Sequence, residues 1–345
     1  MEQGKKEWIT NLRVTATISV ILLHVSSTVL YKYSQGSISN WWIGNVYDSI
    51  VRFSVPIFLM ITGALLLGKQ SSYPLFLKKK VVRILFPFVF WTAIYIIYNF
   101  IEPPQFFGKL ETQTNFDWVI QQIRDGSSYH LWYVYMLIGF YITIPLLNKL
   151  IIGVKKKYLL LFLTVWVIFI TFSTSKNSAY NFEWNLWYIM GYLGYLILGY
   201  YLSIINTKHK IVTILSGVAF FIGVFITAYG TFYFTEMDGT FHKLYYSYLT
   251  PNVLLMTASL FVLMKNVDIN FSGVSQKTRD LIDKHSYGIY LSHILVLNYL
   301  TMYGVEWDLF HPIIGIPLTT ISTLIISVTI VYLFNKIPFA KYISG

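Results

Sequence analysis

Residues 12–25 read LRVTATISVILLHV, an apolar run headed by Arg13 with an imidazole, His24, set well inside it. The apolar character extends over residues 9–32, enough for the ~20 residues a helix needs to cross a hydrocarbon core of ~30 Å. This is not a cleavable signal peptide: the run is too long, lacks a small-residue cleavage site and is followed by further runs of the same kind. Those fall at 45–67, 83–101, 130–148, 158–174, 185–204, 211–232, 246–264, 285–303 and 312–334. The expectation is an all-α, polytopic integral membrane protein of about ten transmembrane helices, with residues 1–345 as one membrane-embedded domain. Composition agrees: 55% of the residues are hydrophobic and only 12% charged, against about 25% charged in soluble domains.

The charges alternate from loop to loop. Of 26 basic residues, 20 fall on one side, including Lys5, Lys6, Arg13, Lys69, Lys78–Lys80, Arg83, Lys155–Lys157, Lys208, Lys210, Arg279 and Lys284. Acids gather on the other, at Glu102, Glu111, Asp117, Asp125, Glu183, Glu236, Asp238, Glu306 and Asp308. The positive-inside rule makes the basic side cytoplasmic and puts both termini there. Topology thus accounts for the net charge of +11, and nucleic acid is not needed as a partner. There is no cysteine, so disulfides, a thiolate nucleophile and thiolate metal sites are excluded. The outer loop 102–128 carries Phe116, Val119, Ile120 and Ile123 at helical spacing, which predicts a short interfacial helix.

From Arg13 to His24 is a rise of ~16 Å along a helix, and eleven steps of about 100° bring both side chains to one face. Arg13 then sits at the cytoplasmic edge and His24 near the midplane. An arginine there also serves as a topology anchor, and a membrane histidine can simply bond a neighbouring helix; an imidazole equally suits proton transfer. Arg52, within the second span, reads either as a snorkelling side chain or as a site cation, next to Pro56 and a packing Gly63. Lys78, Lys79, Lys80 and Arg83 at a cytoplasmic mouth read as positive-inside bias, as lipid contacts, or as a grip on a phosphate-rich ligand. His130, Trp132 and Tyr133 at the head of span four are expected at the outer surface, as an aromatic belt or as a face for a sugar ring. His293 lies eight residues deeper than His285. No metal-ligand spacing is present, and no metal is expected.

Taken in order, these segments resemble the membrane acyltransferase-3 family, which O-acylates bacterial surface glycans and some lipids and antibiotics. LRVTATISVILLHV is similar to that family's first-span arginine and histidine, VPIFLMITGALLL to its second span, and KKKVVRILFPF to its two-cation cytoplasmic motif. HLWYVYMLIGFYITIPLL and HSYGIYLSHILVL resemble later signatures, especially of the subgroup that acetylates enterobacterial common antigen. The resemblance implies a multi-pass protein of the bacterial cytoplasmic membrane. It would take an acyl group, most simply acetyl, from cytoplasmic acyl-CoA and deliver it to a hydroxyl of a surface polysaccharide or lipid-linked glycan. Acetyl-CoA would be a donor substrate, with no cofactor permanently bound, and a homo-oligomer is left open. Arg13 and His24 would be the catalytic pair, with Arg13, Lys79, Lys80 and Arg83 holding the donor's phosphates. Arg52, His130, Trp132 and His293 would support the acceptor or the charge. His24 would be a general base or a transient acyl carrier. Two positions depart from the family pattern: Lys80 stands where it favours arginine, and Thr62 where it favours serine. No extracellular hydrolase-like domain is expected. The competing reading is an exporter or flippase of a glycan or lipid-linked glycan, which would use the same basic mouths and midplane polar groups.

Overall fold

The computed structural model describes residues 2–34, 36–70, 72–102, 113–173 and 186–345, and among them there is no strand. Among the described residues thirteen α-helices follow one another: α1 (Glu2–Leu30), α2 (Ile38–Val51), α3 (Ser54–Leu66), α4 (Tyr73–Phe76), α5 (Val82–Ile101), α6 (Asn115–Asp125), α7 (Trp132–Ile151), α8 (Lys156–Ser173), α9 (Leu186–Ile204), α10 (Lys210–Asp238), α11 (Pro251–Asn266), α12 (Gly273–Met302) and α13 (Pro312–Lys336). Among the described residues, seven segments are long and apolar enough to cross a membrane: Glu7–Leu30, Ile38–Leu66, Tyr73–Ile101, Trp132–Ile151, Lys210–Asp238, Leu244–Asn266 and Pro312–Lys336. The expected spans 158–174, 185–204 and 285–303 correspond to α8, α9 and α12, helical but outside that set. In α9 the described apolar stretch is the shorter Met190–Ile204. In α12 the helix starts at Gly273, so its first half carries Lys277, Arg279, Asp280, Asp283 and Lys284. Residues 174–185, at the boundary of two expected spans, lie outside the described residues.

Many hydroxyls inside the apolar helices are satisfied locally, by a carbonyl one turn back. Thr15 and Thr17 donate back to the Asn11 and Arg13 carbonyls, and Ser26 to that of Leu22. The second span is two helices, not one. Pro56 has no N–H to give in the first turn of α3, and the chain breaks at Arg52 and Phe53 between α2 and α3. Next to the cationic mouth, residues Leu77–Val81 form one wide π-helical turn that carries all three lysines.

α1 occupies the centre and packs against α2, α3, α11, α12 and α13. It runs in the same direction as α12: Arg13 meets Asp283, and eleven residues further on His24 meets His293. α5 is parallel as well, since the Tyr287 hydroxyl donates to the Ile84 carbonyl while Tyr95 meets Leu291. Elsewhere α3 and α9 touch backbone to backbone. A Cβ on Gly63 would come within 1.8 Å of the Leu196 carbonyl oxygen, and one on Gly199 within 2.1 Å of that of Met60. The packing role of Gly63 is therefore a steric requirement. Large apolar side chains point outward from α8, α10 and α13, among them Leu161, Phe172, Phe221, Phe225, Ile325 and Leu333. Lipid is the partner that fits such a surface.

The interfacial helix expected in the 102–128 loop is present as α6, capped by the Thr114 hydroxyl, which accepts the Asp117 N–H. Phe116, Ile120 and Ile123 face outward, while Trp118 and Gln122 are buried. Gln122 accepts a hydrogen bond from the Asn99 amide of α5 at 2.8 Å, which fixes α6 to the bundle.

Candidate functional site

The parallel course of α1, α5 and α12 creates two polar zones. One is at the end of the bundle that carries Arg13; the other is in the interior around His24.

At the first zone Arg13 is not a free cation. Its Nη1 donates to Asp283 Oδ1 at 2.6 Å, both side chains being about a quarter exposed. Burial pushes the Asp283 carboxyl up from the ordinary aspartate range, and the Arg13 guanidinium pulls it part of the way back. Arg279, one turn earlier on α12, donates to Glu7 at 2.5 Å, to Asp280 at 2.7 Å and to Asn11 at 3.2 Å. α12 is thus tied to the start of α1 by charge-assisted bonds. Beside them a cavity of about 790 Å³ opens between α5, α12 and α13, and Arg83, Lys284, His285, Asn335 and Tyr342 line it. Tyr141 of α7 lies within electrostatic reach of both Arg13 and Arg83, which relates the cavity to the Arg13 pair. Lys79 and Lys80 are exposed on the π-helical turn and are not among the cavity's lining residues.

In the second zone three imidazoles meet. The His24 ring lies 5.3 Å from that of His293 and 5.2 Å, edge-on, from that of Tyr129 (centroid distances). His293 in turn lies 5.0 Å from His130. His130 and His293 are buried, while His24 keeps accessible surface. Among the described residues the His24 side chain has no hydrogen-bond partner, and no group of three His, Asp or Glu is arranged to hold a metal ion.

Several groups fix this cluster. The Tyr95 hydroxyl donates to the Leu291 carbonyl and accepts the Leu295 N–H, which sets the α12 backbone around His293. The Tyr290 hydroxyl donates to the His130 carbonyl at 2.5 Å, and the Tyr290 carbonyl is 2.6 Å from His293 Nδ1. The segment 126–131 lies folded into the protein, with Ser127, Ser128, His130 and Leu131 buried. Asn99 donates to the Ser127 carbonyl and Ser128 Oγ lies 3.0 Å from His130 Nδ1, while His130 Nε2 is buried without a partner among the described residues.

These positions correct the expectation for the head of span four. His130 and Tyr133 are buried, not at the outer surface, and the exposed ring is that of Tyr129. Trp132 is half-buried against Tyr133, Tyr192 and Tyr248. Arg52 is also internal. Its Nη2 meets Asp48 Oδ1 at 2.5 Å, its guanidinium lies 4.0 Å over the Tyr246 ring, and its charge reaches His24. Thr62 spends its hydroxyl on the Phe58 carbonyl.

Residues the sequence reading had passed over are Asp283, Lys284, Asp48, Tyr95, Tyr129 and Tyr290. Only Asp283 and Lys284 gave a usable signal, an acid beside a base at the head of span nine. A family model described as an acyltransferase domain matches residues 6–332. No curated protein and no solved structure matches the chain.

Proposed function

Because the chain belongs to the membrane acyltransferase-3 family and is a membrane acyltransferase of groups other than amino-acyl, we propose that it O-acetylates a glycan. Its donor would be cytoplasmic acetyl-CoA and its acceptor a hydroxyl of a surface polysaccharide or lipid-linked glycan. The observation that carries this reading is His24, accessible and without a hydrogen-bond partner among the described residues, on the same face of α1 as Arg13. The two are separated by ~16 Å of helix, on the order of an extended pantetheine arm.

Coenzyme A enters from the Arg13 end in this reading. Arg83 and Lys284 in the 790 Å³ cavity and Arg13 beside it hold its phosphates, and Lys79 and Lys80 raise the local cation density on the approach. Arg13 acts here as a donor-binding cation that sets the thioester, and His24 removes the proton of the acceptor hydroxyl or carries the acyl group in transit. Tyr129, exposed at the ring edge of His24, offers a flat apolar face to a sugar. Arg52, already paired with Asp48, serves as a fixed positive charge near the reacting atoms, and His130 and Trp132 shape the surrounding wall. The protein sits in a bacterial cytoplasmic membrane with ten crossings and both termini inside.

Purified protein in nanodiscs is given acetyl-CoA labelled in the acetyl group. Slow loss of label to water, or its transfer to an added glycan, supports the enzyme, and His24→Gln abolishes both while the protein stays inserted. Gln keeps hydrogen-bonding capacity but takes no proton at neutral pH. Glycan movement across liposomes with no use of acetyl-CoA would assign the chain to transport instead.

A further inference from the structure

A neutral imidazole has one N–H and one lone pair, and the bond made by one nitrogen decides the role of the other. His293 Nδ1 lies 2.6 Å from the Tyr290 carbonyl oxygen, which can only accept, so Nδ1 carries the hydrogen. Nε2 is then a lone pair. It is buried in a fully enclosed side chain and has no partner among the described residues. A buried acceptor left so is costly unless something visits it. The nearest titratable neighbours are His24 and His130, both in ring contact with His293 and not with each other. His130 is held by Ser128 at Nδ1 and, through its backbone carbonyl, by the Tyr290 hydroxyl. Its buried Nε2 also lacks a partner among the described residues, but of the two neighbours only His24 keeps accessible surface from which to meet an acceptor. The His24 side chain has no hydrogen-bond partner among the described residues. At a centroid distance of 5.3 Å and a tilt of 35°, a rotation of its ring about χ2, a broad torsion for histidine, brings an N–H to His293 Nε2.

We propose that His293 is the positioning residue of a His24–His293 dyad: its Nε2 accepts the N–H of one His24 nitrogen and leaves the other nitrogen's lone pair aimed at the acceptor hydroxyl. The inference rests on the acyltransfer reading above. In the reaction the acceptor hydroxyl gives its proton to the free nitrogen of His24 as its oxygen bonds to the thioester carbonyl carbon. The C–S bond then breaks, and the imidazolium of His24 returns the proton to the departing thiolate. No net proton is consumed. The bond to His293 strengthens while His24 is charged, because a charge-assisted bond is roughly twice as strong as a neutral one. Tyr95 and Tyr290, which lock the α12 backbone and the His293 tautomer, are what make a neutral histidine serviceable where other bases lean on a carboxylate.

The test reads the dyad without relying on turnover. Protein labelled with ¹⁵N-histidine in nanodiscs, with His24 assigned through His24→Gln, shows one His24 tautomer in the wild type. His293→Phe yields a mixture of both tautomers, and His293→Gln, whose side-chain oxygen can replace Nε2 as acceptor, keeps one. In acetyl transfer His293→Phe lowers kcat about ten- to a hundred-fold with donor KM unchanged, and His293→Gln recovers much of the loss. An unchanged His24 tautomer in His293→Phe, or a kcat that falls as far in His293→Gln as in His293→Phe, overturns the dyad. A wild type that shows the single tautomer but transfers no acyl group refutes the functional reading and leaves the dyad standing.

Discussion

Arg52 and Asp48 form an ion pair deep in the protein, with the aspartate fully enclosed and the arginine nearly so. At a charge separation of about 4 Å and an effective dielectric of about 20, their attraction is about 4 kcal/mol. Removing one partner strands the other in a medium that solvates it poorly, which costs about 3–5 kcal/mol for buried pairs. Asp48→Asn removes the counter-charge but leaves Arg52 its contact with the Tyr246 ring at 4.0 Å and a long bond to the Tyr246 carbonyl at 3.5 Å. The loss should therefore lie near the lower end, about 3 kcal/mol. Asp48→Asn combined with Arg52→Met removes both charges and should recover most of that stability. Thermal unfolding followed by tryptophan fluorescence in detergent, with ten tryptophans as reporters, gives the comparison. If the double variant is as stable as the wild type yet transfers the acyl group more slowly, Arg52 acts on His24 through its charge. An Asp48→Asn protein as stable as the wild type would refute the claim that the pair is a buried, mutually dependent one.

Arg83→Ala with Lys284→Ala should raise the donor KM about tenfold for each cation lost, with a much smaller effect on kcat, since phosphate contacts remote from the carbonyl give uniform binding. An unchanged KM would remove the cavity between α5, α12 and α13 from the donor site. Gly63→Ala should collapse the yield of folded protein, because its Cβ would overlap the Leu196 carbonyl, whereas Gly217→Ala, with nothing within 4 Å, should be silent. Monodispersity on size exclusion separates the two. Reporter fusions after Lys157 and Lys210 should signal the cytoplasm, and one near Asp238 the outside; the inverse pattern would end the cytoplasmic-donor argument.

The membrane-spanning helices were legible because apolar length is a local property, and α10 and α13 can be read from their own residues alone. The start of α12 was not. Residues 273–284 are charged and show no apolar run, and what holds them against α1 is Arg279 with Glu7 and Asn11, pairs some 270 positions apart in the chain. The break at Arg52 and Phe53 had a visible cause in Pro56, but an isolated proline marks a kink as readily as a stop. The site divides in the same way. Helical geometry alone put Arg13 and His24 on one face of α1, and the face turned toward α12 carries both. The inward turn of His130 depends on where the segment 126–131 packs, and an aromatic-rich span head looks the same whether it meets lipid or protein. Tyr95 and Tyr290 matter through single oxygen atoms, and nothing in their neighbours distinguishes them from the other tyrosines.

In the donor site proposed above, the bond between Arg13 and Asp283 makes ligand capture an exchange. An anion arriving at Arg13 must displace a carboxylate that is only about one-fifth exposed, and that carboxylate cannot follow its old partner into water. Burial already raises the proton affinity of Asp283, and Arg13 is what opposes it most. Once Arg13 turns to a phosphate, Asp283 gains a proton more readily, with only the flanking Arg279 to restrain it against the acidic Asp280. Uptake of the ligand is thereby coupled to uptake of a proton, so the affinity for coenzyme A should rise as pH falls from neutrality toward the carboxylate range. Asp283→Asn, which has no proton to gain, should lose this rise and keep only the pH dependence that comes from the ionisation of the ligand's own phosphate. The first anion-binding event would then work as a proton meter at the mouth of the bundle, long before the acyl group reaches His24.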